Sequence, residues 1–208
     1  ETVAVPAGQL LAEQFFGTSK NLKVDKYDPE GAKKLLAQAG YPNGFQLTLH
    51  SPNNRYINDE KIAQAIAQFL TRVGIVTKLE TMPSNIFFTR ASKLEFSTIL
   101  AGWGASSGDT SSPLRSLLGT FDAKTGFGAA NRGRFSNAEL DVLIAAAAVE
   151  IDSEKRRAKL AQASEKAIEQ MGLIPLHYEV SVWATKSNVT YVARADQYTL
   201  AQEAKLKK

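Results

Sequence analysis

The sequence predicts an α/β domain whose core is a β-α-β-α-β series, and three observations carry that prediction. The run "FQLTLHS" sets Phe45, Leu47 and Leu49 against Gln46, Thr48 and His50, the alternation of a strand with one buried face. Downstream, Ile62, Ala65, Ile66, Phe69, Leu70 and Val73 recur at three- and four-residue intervals, the stripe of a helix lying on a sheet. Two further β-rich runs, "IVTKLETM" and "FSTILAGW", then flank the helical "PSNIFFTRASK". At 208 residues, with 44% apolar and 22% charged side chains, the chain is long enough to bury a full core as one main globular unit.

Taken in order, the stretch to Tyr27 shows no clear period and reads as an irregular lead-in. A short helix follows in "DPEGAKKLLAQAG": Asp28 caps it, Pro29 suits its first position, and Gly40 ends it. After the turn "YPNG" come the first strand, the loop "PNNRYIND", the long helix up to Gly74, and the second strand. The third strand leads into "GASSGDTSS" and a helix near Pro113. "SNAELDVLI" offers a capping box from Ser136 to Glu139, and a second long helix runs from about Ser153 to Met171 with Asp152 as its cap. The tail turns β-like in "LIPLHYEVSVWA" and "VTYVARADQYTLA".

Composition excludes several classes. The net charge of +4 is too small and dispersed to mark a nucleic-acid surface, and "KRRAKL" reads as a solvated helix face. Without cysteine there is no disulfide, thiolate catalysis or Cys-ligated metal. The two histidines, His50 and His177, form no metal-binding helix motif, no phosphate loop is present, and no cofactor is called for. No apolar run approaches the roughly 20 residues of a membrane span, and the first residues lack the pattern of a secretory signal.

Strands joined by helices favour parallel pairing, which gathers their carboxyl ends on one edge, where open α/β sheets bind ligands. "PNNRYIND" and "GASSGDTSS" both leave that edge. Within the second, Gly104, Ser106 and Gly108 spell the G-x-S-x-G of a nucleophile elbow, and Ser106, then Asp141 or Asp152, then His177 follow the chain order of α/β-hydrolases. An elbow needs its helix directly after the serine, yet Gly108, Asp109, Thr110 and Ser111 intervene. A binding reading uses the same residues otherwise. Ser106, Ser107 and Thr110 donate hydrogen bonds, Asp109 meets a cation, and Trp103 offers a face for stacking. Arg55 could grip a carboxylate with its planar fork, and Arg132 and Arg134 could do the same. Each has a plainer reading: Trp103 as core, the serines as caps, Asp109 as turn-former, the arginines as surface.

The segments "YDPEGAKKLLAQAGYPNGF", "GIVTKLETMP", "GWG", "NRGRFSNAELDVLIAAAAVEIDSEKRRAKLAQASEKAI" and "GLIPLHYEVSVWATKSNVTYV" resemble, in that order, the family-five solute-binding proteins of ABC importers. The resemblance implies a periplasmic-binding-protein-like lobe with a mixed sheet around the β-α-β-α-β core and flanking helices. It also implies a periplasmic protein that encloses a solute between two lobes and delivers it to a membrane permease. Members are much longer, so the resemblance implies a carboxyl-terminal portion: a lead-in over 1–27, a solute-binding lobe over 28–184, and a tail over 185–208 returning towards a missing first lobe. The partners implied are a small-molecule or peptide ligand, the ABC permease and that first lobe.

In peptide-binding members a tryptophan at this strand end lines the pocket, which carries over to Trp103. An aspartate three residues later pairs with the peptide ammonium, and here that position is Ser106. A neutral hydroxyl cannot replace the charge-assisted bond. The expected pocket wall is therefore Trp103, Ser106, Ser107 and Asp109, with Arg55, Tyr56, Asn131 and Arg132 as further candidates. The alternatives are a serine hydrolase using Ser106 and His177, and a self-associating module pairing through exposed apolar surface.

Overall fold

A computed structural model describes residues 4–194 and 196–207. Residues 1–3 of the expected lead-in, and 195 and 208 of the expected tail, lie outside the described residues. In chain order the elements are β1 (Ala4–Pro6), α1 (Pro29–Gln38), β2 (Phe45–Pro52), α2 (Asp59–Arg72), β3 (Ile75–Met82), α3 (Ser84–Ser92) and β4 (Thr98–Ile99). Then come α4 (Ser111–Pro113), continued by a π-helical turn over Leu114–Leu118, α5 (Ala138–Ala148), α6 (Ser153–Glu169), β5 (His177–Glu179), β6 (Val189–Tyr191), a 3-10 turn over Ala201–Glu203, and β7 (Ala204–Leu206). No helix among the described residues is long and apolar enough to cross a membrane.

The chain packs as two compact units. One comprises Asp25–Trp103 and Gly119–Ser136; the other comprises Glu1–Val24, Gly104–Leu118 and Asn137–Lys208. The first holds the anticipated β-α-β-α-β series as a parallel sheet in the order β3-β2-β4, with Phe45 to Pro52 registered against Ile75 to Met82. Successive strand residues point to opposite faces, and the two crossover helices use that alternation. Leu49 packs with Ala63 of α2 and with Leu47, Ile62, Ile66 and Leu79. The next residue, His50, stacks on Phe96 at 4.0 Å, beside the cluster of Met82, Phe87, Ala91 and Phe88 that seats α3.

In this unit α1 forms as its caps require: Asp28 accepts from the Gly31 amide at 2.8 Å, and Gly40 follows with φ +89°. Two elements differ from the sequence expectation. The third strand pairs only over Thr98 and Ile99, against Leu49 and His50, because the chain leaves the sheet after the Leu100 amide donates to the His50 carbonyl. The second helix begins at Asp59, where a polar first turn carries no apolar period.

The other unit is built on α5 and α6. Leu140, Ile144 and Ala147 are buried, as are Leu160, Ala163 and Ala167. Asp152 caps α6 through the Lys155 amide, as anticipated. The cap of α5 is Asn137 rather than Ser136: the extended Asn137 reaches the Leu140 amide at 2.9 Å, while Ser136, assigned to the other unit, hydrogen-bonds Thr120. Within the anticipated irregular lead-in, β1 pairs antiparallel with β5, and within the anticipated tail β6 pairs antiparallel with β7. Parallel and antiparallel pairs thus sit in separate sheets.

Candidate functional site

Pro52 ends β2 fully buried, and the loop after it is folded by side chains aimed at backbone. Asp59, only 3% exposed, accepts from the amides of Arg55 at 2.8 Å, Tyr56 at 3.0 Å and Glu60 at 2.9 Å. Three amides satisfy a buried carboxylate and curl residues 55–58 onto the start of α2. Asn58 takes the left-handed conformation this requires, with φ 58°, which Asn tolerates. From the same loop, Asn54 accepts from the Ser84 amide at 2.8 Å and so caps α3 across 30 residues.

The loop leaving β4 meets this one. Tyr56 donates its hydroxyl to the Gly102 carbonyl at 3.2 Å, and its ring lies so close that a Cβ on Gly102 would fall 2.8 Å from it. Arg55 places its guanidinium carbon 5.2 Å from the Tyr56 ring centre. Trp103, next in the chain, is 41% exposed, so its face is open rather than packed as core. Of the residues anticipated from sequence, Arg55, Tyr56 and Trp103 are therefore brought together by two loops leaving adjacent parallel strands.

The loop over 119–136 belongs to the same unit. Asn131, an anticipated pocket residue, is buried and holds this loop instead: its amide donates to the carbonyls of Gly119 and Phe135 and accepts from the Phe135 amide. Arg134 donates to the Asn131 carbonyl and lies over Phe121 at 3.9 Å. Arg132 differs. Its guanidinium carbon stands 5.4 Å from the Phe88 ring centre, and its buried Nε has no hydrogen-bond partner.

In the other unit, Gly104–Thr110 forms a turn closed by the Gly108 amide donating to Ala105, which leaves Ser106 and Ser107 exposed at its corner. The segment is stitched to Phe16: the Phe16 amide donates to the Gly108 carbonyl and the Thr110 amide to the Phe16 carbonyl, both at 3.1 Å. Gly17, at φ +79°, cannot carry a side chain, because a Cβ would lie 2.6 Å from Thr110 Oγ1 and from Leu160. Asp109, anticipated to meet a cation in the pocket, meets one of its own chain. It accepts from the Ser111 amide and hydroxyl and pairs with Arg156 at 2.9 Å. Burial alone would raise its carboxyl pKa, but the bonds from Ser111 and Arg156 outweigh that and hold it below the usual aspartate range.

The nucleophile reading finds no support in this geometry. The helix starts at Ser111, not directly after Ser106, and no hydrogen bond joins Ser106 to His177, which pairs in β5 with Pro6 of β1. Among the described residues no group of three or more histidines and carboxylates could hold a metal ion. Sequence reasoning missed Asp59 and Asn54, the residues that shape the first loop. An acid in the first turn of α2 was a usable signal for Asp59. Nothing local marks a cap made from another loop.

The family model of the bacterial extracellular solute-binding proteins, family 5 Middle, matches residues 1–125, more than half of the chain. Heme-binding protein A of Haemophilus influenzae is 32% identical over 161 residues, 74% of this chain and 28% of that protein. The glutathione-binding protein GsiB of Salmonella paratyphi A is 30% identical over 173 residues, 79% of this chain and 32% of that protein. The periplasmic binding protein DppA of Helicobacter pylori, solved with the peptide STSA, superposes with a TM-score of 0.81 at 26% identity, covering 99% of this chain and 40% of that one. The chain thus spans under a third of the curated relatives' length.

Proposed function

From the premise that the chain belongs to family 5 of the bacterial extracellular solute-binding proteins, we propose that it is part of the substrate-binding component of an ABC-type importer. In this reading it works outside the cytoplasm, binds a small polar solute, a peptide or a related compound, for delivery to a membrane permease, and catalyses nothing. The single observation that supports it best is the Tyr56 to Gly102 hydrogen bond, which joins two strand-edge loops beside the open face of Trp103. Arg55, Tyr56 and Trp103 are the proposed wall in their unit. Ser106 and Ser107 are the free hydroxyls of their loop, whereas Asp109 and Asn131 are assigned to holding loops in shape.

The named ligands of relatives, heme and glutathione, and the peptide bound to the Helicobacter protein supply the panel for a test. Calorimetry on the full-length protein should find saturable binding of at least one of heme, glutathione or a short peptide. Trp103→Ala should weaken it at least tenfold, as for an aromatic anchor that excludes water. No binding across the panel, together with ester turnover abolished by Ser106→Ala, would replace this reading with the hydrolase.

A further inference from the structure

We propose that the outer edge of β3 is a dimerisation surface, and that its occupant is β3 of a second copy of this chain, paired antiparallel about a two-fold axis at Leu79. The sheet runs β3-β2-β4, so among the described residues β3 is hydrogen-bonded into a sheet on one side only. It is 8 residues long, whereas β4 at the other edge pairs over Thr98 and Ile99 alone. A long edge strand presents a row of amides and carbonyls that another strand can meet. The ladder shows which residues carry that row. The Met82 carbonyl accepts from the Asn53 amide at 3.0 Å, just past the end of β2, so the even positions of β3 turn their backbone groups towards β2. The odd positions, Ile75, Thr77, Leu79 and Thr81, turn theirs outward. Thr77 agrees: its amide leaves the ladder for the Thr71 hydroxyl at 3.4 Å, a weak hold. Beside it, Ala67, Gln68, Thr71, Arg72 and Thr77 line an open cleft of about 360 Å³.

The side chains along this edge say what meets it. Residues 77–81, "TKLET", read the same in both directions except that Lys78 exchanges with Glu80. In an antiparallel pair centred on Leu79, Thr77 therefore meets Thr81 of the other copy and Lys78 meets Glu80, and the two-fold axis makes each contact twice. Leu79, facing outward, meets itself in a hydrogen-bonded pair, which puts Lys78 and Glu80 in the non-hydrogen-bonded pair, where side chains stand closest. Opposite charges and threonines are favourable cross-strand neighbours. Moving the centre by one residue, to Lys78 or to Glu80, sets like charges face to face, so the same residues reject the adjacent registers. A lone lysine on an edge strand guards against pairing. With Glu80 two positions on and 2.7 Å from it, Lys78 instead has its complement on the same face, and its side chain is 71% exposed. The loops of the proposed wall leave β2 and β4, so pairing along β3 leaves Tyr56 and Trp103 open, and the inference stands apart from the solute reading.

Sedimentation velocity of the full-length protein should show monomer giving way to dimer between about 1 and 100 µM, as for an interface below the standard size. Lys78→Glu and Glu80→Lys each oppose like charges at both symmetric contacts, and each should weaken the dimer by about tenfold. The double exchange Lys78→Glu/Glu80→Lys reverses both signs and restores the match, and should return the dimer to within about threefold of wild type. Should a single variant fail to melt cooperatively, Thr81→Pro takes its place: it removes an outward N–H, spares the ladder to β2, and should leave only monomer. A wild type that stays monomeric across that range overturns the inference. So does a dimer that the single exchanges leave unweakened, or one that the double exchange does not recover. Failure of the solute panel leaves this test untouched, because its readout is mass alone.

Discussion

The loop after β2 and the loop over Gly104–Thr110 were equally polar in sequence, yet they are held by opposite means and leave opposite chemistry free. In the first, side chains bind backbone: Asp59 gathers three amides and Asn54 caps α3. What remains outside is a cation and one aromatic ring, those of Arg55 and Tyr56. In the second, backbone binds backbone along Phe16, and the loop's charged side chain is taken by Arg156. What remains is a pair of neutral hydroxyls. The difference teaches that a polar residue in a loop is a binding candidate only after the loop's own hydrogen bonds have been assigned.

Four substitutions would break or sharpen that contrast. The largest effect is expected from Asp59→Ala, which orphans three amides around a buried position. It should destabilise the protein by about 3 kcal/mol in denaturant unfolding and abolish solute binding with it. Next, Asp109→Asn should cost about 1–2 kcal/mol, a figure discounted because both partners of the ion pair are partly exposed. The folded pKa of Asp109 is depressed, so its contribution is full above the ordinary aspartate value of about 3.9 and is lost as pH falls through the folded value. Melting curves of wild type and Asp109→Asn should accordingly converge on acidification below about pH 4.

Tyr56→Phe should cost about 1 kcal/mol or less, the worth of one neutral hydrogen bond, and loosen the strand-edge loops, read as faster amide exchange at Gly102. Ser106→Ala should shift stability by less than about 0.5 kcal/mol, since the hydroxyl lies exposed at a turn corner. A loss as large as that of Asp59→Ala would refute the contrast.

Much of the fold was legible because it is encoded locally. The period of "FQLTLHS", the Asp28 and Asp152 caps and the α2 stripe each state their structure within a few residues. What was illegible depends on distant partners. Strand β1 exists only against β5, with Ala4 opposite Glu179. "FSTILAGW" looked like a full strand, but its pairing ends at Ile99, and beyond it Tyr56, from another loop, hydrogen-bonds Gly102. The candidate site divided in the same way. Trp103 and Arg55 could be named from residue type, whereas the assignment of Asn131 to its own loop and of Asp109 to Arg156 required coordinates. Both residues have the right chemistry for a ligand and use it internally.

The central claim, that Trp103 stands in the solute-binding wall, is tested most directly by the tryptophan fluorescence of the full-length protein and its Trp103→Phe variant during solute titration, with binding followed in parallel by calorimetry. The account predicts a saturable fluorescence change in the wild type that disappears from the variant while the calorimetric signal persists, weakened. An identical fluorescence change in both proteins would contradict it.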